Sequence, residues 1–395
     1  MKNNFKLVTL SIFFILFFVS TIFSQQNKMQ TGAERTAFYL PSLKGKNIGL
    51  VVNQTSMIGS VHLVDSLLVL GVNVKKIFAP EHGFRGNADA GEKISDSKDP
   101  KTGIQIISIY GSKKAPDKVD FDGIDLLIFD IQDVGTRFYT YISTLHYVMI
   151  SCADNKIPLM IFDRPNPNGH FVDGPVLDIA YQSFVGMHPI PVVHGMTIGE
   201  YAKMIAGEKW MGENKVIDLQ VISCLNYKHT DDYNLPVPPS PNLPNMRSIY
   251  LYPSICYFEG TQISLGRGTN KQFQVLGAPL LNAGDFYFTP EPKPGAMTPP
   301  QLGKRCRGID LSGLDINQLK GKKSIDLSYL IQMYKDYPDK ESFFLPGLFF
   351  DKLAGSSALR EMIQAGYTEK QIKETWQPGL NAFKKIREKY LLYSD

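Results

Sequence analysis

Five short apolar runs, each ending abruptly in polar or glycine residues, constrain the fold of this chain more than any other feature. They are Asn47–Asn53, Val74–Ala79, Ile104–Ile109, Ile124–Asp130 and Pro158–Asp163. Their hydrophobicity is nearly continuous rather than alternating, which is what a strand covered on both faces requires. Helical patterns fall between some of them, over Val61–Leu70 and Tyr139–Asn155. Strands and helices in alternation predict an α/β fold with a Rossmann-like, doubly wound, mostly parallel sheet. Ligands of such sheets bind beyond the carboxyl ends of the strands. Those ends read Asn53-Gln54-Thr55-Ser56, Pro80-Glu81-His82-Gly83, Tyr110-Gly111, Asp130-Ile131-Gln132-Asp133 and Asp163-Arg164-Pro165-Asn166.

From about Gly195 the texture changes. Thr197–Gly207 reads as a helix with Thr197 as N-cap and Glu200 three residues on, a capping box. Val216–Ile222 reads as a strand, and residues 235–300 are rich in proline and glycine. The tail from Ser324 is mostly helical and is expected to end on a helix over Pro378–Leu392. These shifts predict a Rossmann-like domain over residues 25–195 and a smaller α+β domain over residues 196–395.

The first 24 residues predict the compartment. Lys2 and Lys6 precede an apolar run from Leu7, and polar residues return at Ser20, Thr21 and Ser24. A charged start, a short apolar core and a polar exit predict a cleaved secretory signal peptide, hence a periplasmic or extracellular protein. Even extended to Phe23 the run is 17 residues, at the bottom of the spanning range, and no later run is long enough to insert stably in a membrane. The formal charge is +4, or +2 without Lys2 and Lys6, which favours neither nucleic acid nor an anionic membrane as partner. Cys152, Cys224, Cys256 and Cys306 are too dispersed for a metal site, and the seven histidines show no ligand spacing.

No nucleophile elbow, zincin helix, phosphate loop or dinucleotide fingerprint is present, so no cofactor or metal is called for. What remains is a set of carboxylates and arginines at strand exits. Glu81 suits the acid that protonates a glycosidic leaving oxygen, since a strand end holds a side chain rigidly over a cleft; it equally suits a structural ion pair with Arg85. Glu92 and Asp130 are further catalytic candidates, and Asp133 and Asp163 share their setting, although such residues also cap helices and satisfy loop amides. Arg85, Arg137, Arg164 and Arg267 lie in loops where guanidinium groups recognise an anion or pair with neighbouring acids. Asn53, His82, Tyr139 and His194 complete the binding candidates.

The same segments resemble the NamZ-type exo-β-N-acetylmuramidases, glycoside hydrolase family 171. The matching strings include PEHGFRG at 80–86, AGE at 90–92, FDIQDVGTRFYTY at 129–141, DRPNP at 163–167, HGMT at 194–197, PSPNLP at 239–244 and EGTQISLGRGT at 259–269. The resemblance implies an active-site cleft between a Rossmann-like lobe and a smaller lobe. It also implies release of terminal N-acetylmuramic acid from peptidoglycan-derived chains, with Glu81 as the catalytic glutamate and Glu92 nearby. The arginines would then meet the lactyl carboxylate of that sugar. A muropeptide- or glycan-binding protein without catalysis is the alternative, because Asn270-Lys271-Gln272-Phe273-Gln274 stands where the family commonly has Thr-Arg-Pro-Phe-Glu. The long loops 235–245 and 259–269 are expected to close one end of the cleft into a pocket for a terminal sugar, or else to brace the two lobes.

Overall fold

A computed structural model describes residues 28–84 and 96–395. Its centre is a seven-stranded sheet of β1 (Asn47–Val52), β2 (Asn73–Ala79), β3 (Ser97–Lys98), β4 (Gln105–Ser108), β5 (Leu126–Asp130), β6 (Leu159–Phe162) and β7 (Leu219–Ile222). The strand order is β3-β4-β2-β1-β5-β6-β7, all parallel except the two-residue edge β3. From β1 the chain winds outward through β2 to β4, then crosses back to β5 on the other side of β1, which makes a switch point between β1 and β5.

The apolar runs become strands because both faces are covered. Ile48, Leu50, Val51 and Val52 are all fully buried. On one face Ile48, Leu50 and Val52 pack with Tyr39 and Leu43 of α1 (Thr36–Leu43) and with Leu63, Val64 and Leu67 of α2 (Leu63–Val69). On the other, Val51 joins α3 (Tyr141–Asn155) and α4 (Ile198–Gly207) through Ile142, Leu145, Tyr201 and Ile205. Gly49 has to be small: a Cβ there would lie 2.8 Å from Leu127 Cδ1 and 3.1 Å from Phe78 Cε2.

The smaller lobe carries a three-stranded antiparallel sheet, β8 (Val275–Ala278), β9 (Phe286–Phe288) and β10 (Cys306–Asp310), in the order β8-β10-β9. Around it lie α5 (Met246–Ile255), α6 (Ser328–Asp336), α7 (Phe349–Ala354) and α8 (Glu369–Arg387). Leu251, Phe350 and Leu380 belong to the same hydrophobic cluster as α3 and α4, so apolar packing is continuous between the lobes.

Two boundaries differ from expectation. The sheet does not stop at residue 195: α4 packs against β6 and β7, so residues 198–222 belong to the large lobe. The change of composition near Gly195 marks a loop within that lobe. The final helix begins at Glu369, capped by Thr368 and Gln371, and carries Pro378 inside it rather than at its start. Among the described residues no helix is long and apolar enough to cross a membrane. The proposed leader, residues 1–24, lies outside the described residues.

Candidate active site

A cavity of about 230 Å³ opens between the lobes. Its large-lobe wall comes from the exits of β2 (Glu81, His82) and β4 (Tyr110) and from the loop before α3 (Phe138, Tyr139, Thr140). The opposite wall comes from Ser240, Asn242 and Leu243 of the proline-rich segment, with Tyr252, Glu259, Arg267, Phe273 and Phe349. Both loops expected to close the cleft thus contribute to the cavity lining. Its volume suits one substituted ring and is below the roughly 300–1,000 Å³ of drug-sized sites.

Glu81 is half-buried, and each of its oxygens accepts a hydroxyl: Tyr110 donates to Oε1 and Thr140 to Oε2, each at 2.8 Å. A hydroxyl can donate to a carboxylate or accept from a carboxylic acid, so these partners serve Glu81 in either proton state. The next residue, His82, adopts a left-handed φ of 67°, uncommon for a side chain of this size. Strain of this kind gathers where the surrounding structure enforces a functional geometry. His82 Nε2 lies 3.4 Å from Ser240 Oγ, and Tyr139 donates to the Pro239 carbonyl at 2.8 Å, so the proline-rich segment is fastened to the large-lobe wall of the cavity.

Across the cavity Arg267 points Nε and Nη2 at Glu259 Oε1, and its guanidinium lies 5.1 Å from the Phe273 ring centre. This pairing with Glu259 holds the Arg267 pKa above its ordinary value against the opposing effect of burial. Among the described residues Nη1 has no hydrogen-bond partner. Arg267 is the one cationic side chain among the described residues lining the cavity. Lys271, where the family commonly has arginine, pairs with Asp310 on β10 and is not part of the lining; Phe273 is.

Of the sequence candidates, Glu81, His82, Tyr139 and Arg267 meet in this cavity, and Arg85 and Glu92 lie outside the described residues. The others are buried and are not among the described residues that line the cavity. Asp130 is fully buried and takes Arg164 Nε at 2.6 Å and Nη2 at 2.8 Å, so neither is free for substrate. Asp163 receives Thr197 Oγ1, the Gly199 amide and the Tyr393 hydroxyl, anchoring the start of α4. Arg137 gives its guanidinium to the carbonyls of Pro175, Ile190 and Leu353, tying the lobes together. Asn53 Oδ1 holds the turn after β1 through Thr55. Asp133 accepts the Gly135 amide, and His194 Nε2 stands 3.8 Å from it, both buried. Sequence reasoning did not single out Glu259, Thr140, Ser240 or Asn242, although Glu259 opens the string that contains Arg267.

Behind the site, His188 bridges His146 at 3.0 Å and Tyr201 at 2.6 Å and stacks on Trp210. Burial pushes His146 down to about 4, His188 to about 2 and His194 to about 3. Their folded values lie below the unfolded 6.5, so their contribution to stability is full above that pH and is lost as pH falls. Burial raises Asp133 to about 7 and Asp163 to about 6, which acts in the opposite sense, for Asp133 from pH 6.5 down to 4.5 and for Asp163 below about 6. The histidines outnumber these two acids. Between pH 6.5 and 4.5 stability should therefore decline, on the order of 1 kcal/mol per pH unit for each excess proton bound by the unfolded chain. Thermal melts across that range check this; a flat or rising melting temperature on acidification contradicts it.

Comparison with known proteins agrees with this architecture. The family model described as exo-beta-N-acetylmuramidase NamZ, N-terminal, matches residues 48–247, and its C-terminal counterpart matches residues 250–393. A curated relative from Bacillus subtilis (strain 168), peptidoglycan beta-N-acetylmuramidase NamZ, is 38% identical over 94% of this chain and 92% of its own length. Two crystal structures of DUF1343 family proteins from Bacteroides fragilis NCTC 9343 share the fold. One has 48% identity and a TM-score of 0.86 over 93% of this chain and 99% of its own, the other 27% and 0.76 over 93% and 100%. Matched by both family models and by a curated relative along nearly its whole length, the chain belongs to the exo-β-N-acetylmuramidase NamZ family.

Proposed function

We propose that the chain is an exported, exo-acting glycosidase that releases N-acetylmuramic acid from the non-reducing ends of peptidoglycan fragments. The observation that carries this reading is a single-ring cavity with Glu81 on one wall and an anchored arginine on the other. Glu81 protonates the leaving glycosidic oxygen, and the aromatic residues of the cavity contact the apolar face of the sugar ring. Arg267 pairs with the lactyl carboxylate, the group that distinguishes N-acetylmuramic acid from N-acetylglucosamine. The leader-like first 24 residues support export to the periplasm or beyond, where peptidoglycan fragments are found.

The test compares matched chromogenic glycosides of the two sugars. Wild-type protein should prefer the N-acetylmuramic acid glycoside, and Arg267→Leu should reduce that preference by about 10- to 150-fold, the value of a charge-assisted hydrogen bond. Binding without release of the chromophore would instead favour the non-catalytic alternative. Equal rates on both sugars in the wild type would overturn the role of Arg267.

A further inference from the structure

The smaller lobe carries a cationic, aromatic patch that the cavity does not use. Tyr287, in the middle of β9, lies opposite Arg307 of β10, and Arg305 comes two residues before Arg307, on the same side of the pair. β9 is the outer strand of its sheet. Tyr287 is 46% exposed; the Arg305 guanidinium lies 4.3 Å from its ring centre and that of Arg307 6.0 Å away. Lys304 and Arg305 are exposed as well. We infer that this patch is a docking surface for the carboxylates of the peptides that peptidoglycan strands carry. It would hold the protein on its polymeric substrate while the cavity works on chain ends. The identity of the partner rests on the muramidase reading of the cavity.

Three observations support it. The first is unspent charge. Lys304, Arg305 and Arg307 form no ion pair among the described residues. Arg305 is the one described arginine that makes neither an ion pair nor a hydrogen bond. Asp285, the acid nearest Tyr287 in sequence, is exposed and does not pair with them, so the patch stays positive. The second is preorganisation. Contact with the Tyr287 ring restricts the Arg305 plane, so less freedom is lost when its fork meets a carboxylate through two parallel bonds. Lipid is the poorer partner, because a surface drawn to anionic headgroups gathers about four to eight cations and this one has three. The third is position. None of these residues lines the cavity, yet the connection from β9 to β10 reaches it: Asn242, part of the lining, donates to the Gly295 carbonyl at 2.8 Å. The Gly303 amide closes that connection on the Pro290 carbonyl at 2.9 Å. The patch thus sits at the base of a loop that borders the site, and a polymer held there keeps its ends within reach.

The experiment is co-sedimentation of the full chain with purified insoluble peptidoglycan at low salt, alongside kcat/KM on a chromogenic N-acetylmuramic acid glycoside. Wild-type protein should sediment, and should sediment less as salt is raised or once the peptide carboxylates have been amidated. Lys304→Glu with Arg305→Glu should weaken the apparent affinity about tenfold, and Tyr287→Ser, which removes the ring beside Arg305, about threefold. Turnover of the glycoside should be unchanged in each. A wild type that does not sediment, retention unaltered in both folded variants, or retention indifferent to amidation overturns the inference. So does an equal fall in glycoside turnover, which would make the patch part of the cavity, or binding to anionic phospholipid vesicles in place of peptidoglycan. A wild type that sediments through the patch yet is inert on the glycoside would overturn the muramidase reading and leave the docking surface standing.

Discussion

Glu81→Gln should reduce turnover of an N-acetylmuramic acid glycoside by about 10²–10⁴-fold, the usual contribution of a positioned general acid. Glutamine keeps the shape and retains an oxygen and an amide for Tyr110 and Thr140, so the β2 exit should fold as before. The loss should fall on kcat, with KM little changed, because the missing proton transfer belongs to the transition state. A Tyr110→Phe variant should be milder, since it removes one hydroxyl partner and leaves the Thr140 hydroxyl and the carboxyl in place. Steady-state kinetics on folded protein decides the matter: near wild-type rates for Glu81→Gln would remove Glu81 from the chemistry.

The second large effect concerns stability. Arg164→Met leaves the fully buried Asp130 carboxylate without its counter-ion, and breaking such a pair costs about 3–5 kcal/mol. Removing both charges together, as Asp130→Leu with Arg164→Met, should cost less than the single change, because no uncompensated charge remains. Denaturant unfolding of the single and double variants gives the coupling directly. Single changes that cost under about 1 kcal/mol would contradict the buried-pair account. A stably folded Asp130→Asn protein that had lost turnover would return Asp130 to the catalytic group.

The parallel sheet was legible because burial on both faces leaves a continuous apolar run, as in Asn47–Val52, that few other elements need. The site was only half legible. Strand exits do border the cavity, but every exit carries polar residues and only some of them face it. Those after β2 and β4 line the cavity through Glu81, His82 and Tyr110, whereas those at β1, β5 and β6 fill the switch point with Asn53, Asp130 and Arg164. A buried ion pair and a catalytic carboxylate have the same local signature, an acid after an apolar run. What separates them is a partner 34 residues away, at Arg164 for Asp130, and no spacing rule announces that. The opposite wall was harder still, because Glu259 and Arg267 lie in irregular backbone with no periodicity to read.

The last turn of α8 and the residues after it return to the large lobe. Arg387 donates to the Gly195 carbonyl, the Leu392 amide to Glu200 and the Tyr393 hydroxyl to Asp163. The acids that anchor α4 to the first lobe are thus satisfied by groups made about 190 to 230 residues later, contacts of high sequence separation whose closure is slow. During synthesis, or threading across a membrane, the first lobe can gather its strands as they emerge, yet its α4 anchor stays incomplete until the end of the chain arrives. A ribosome stalled shortly before residue 387 would therefore hold a large lobe that is collapsed but still open to proteases at the start of α4, and protection there would report completion of the polypeptide rather than of the lobe.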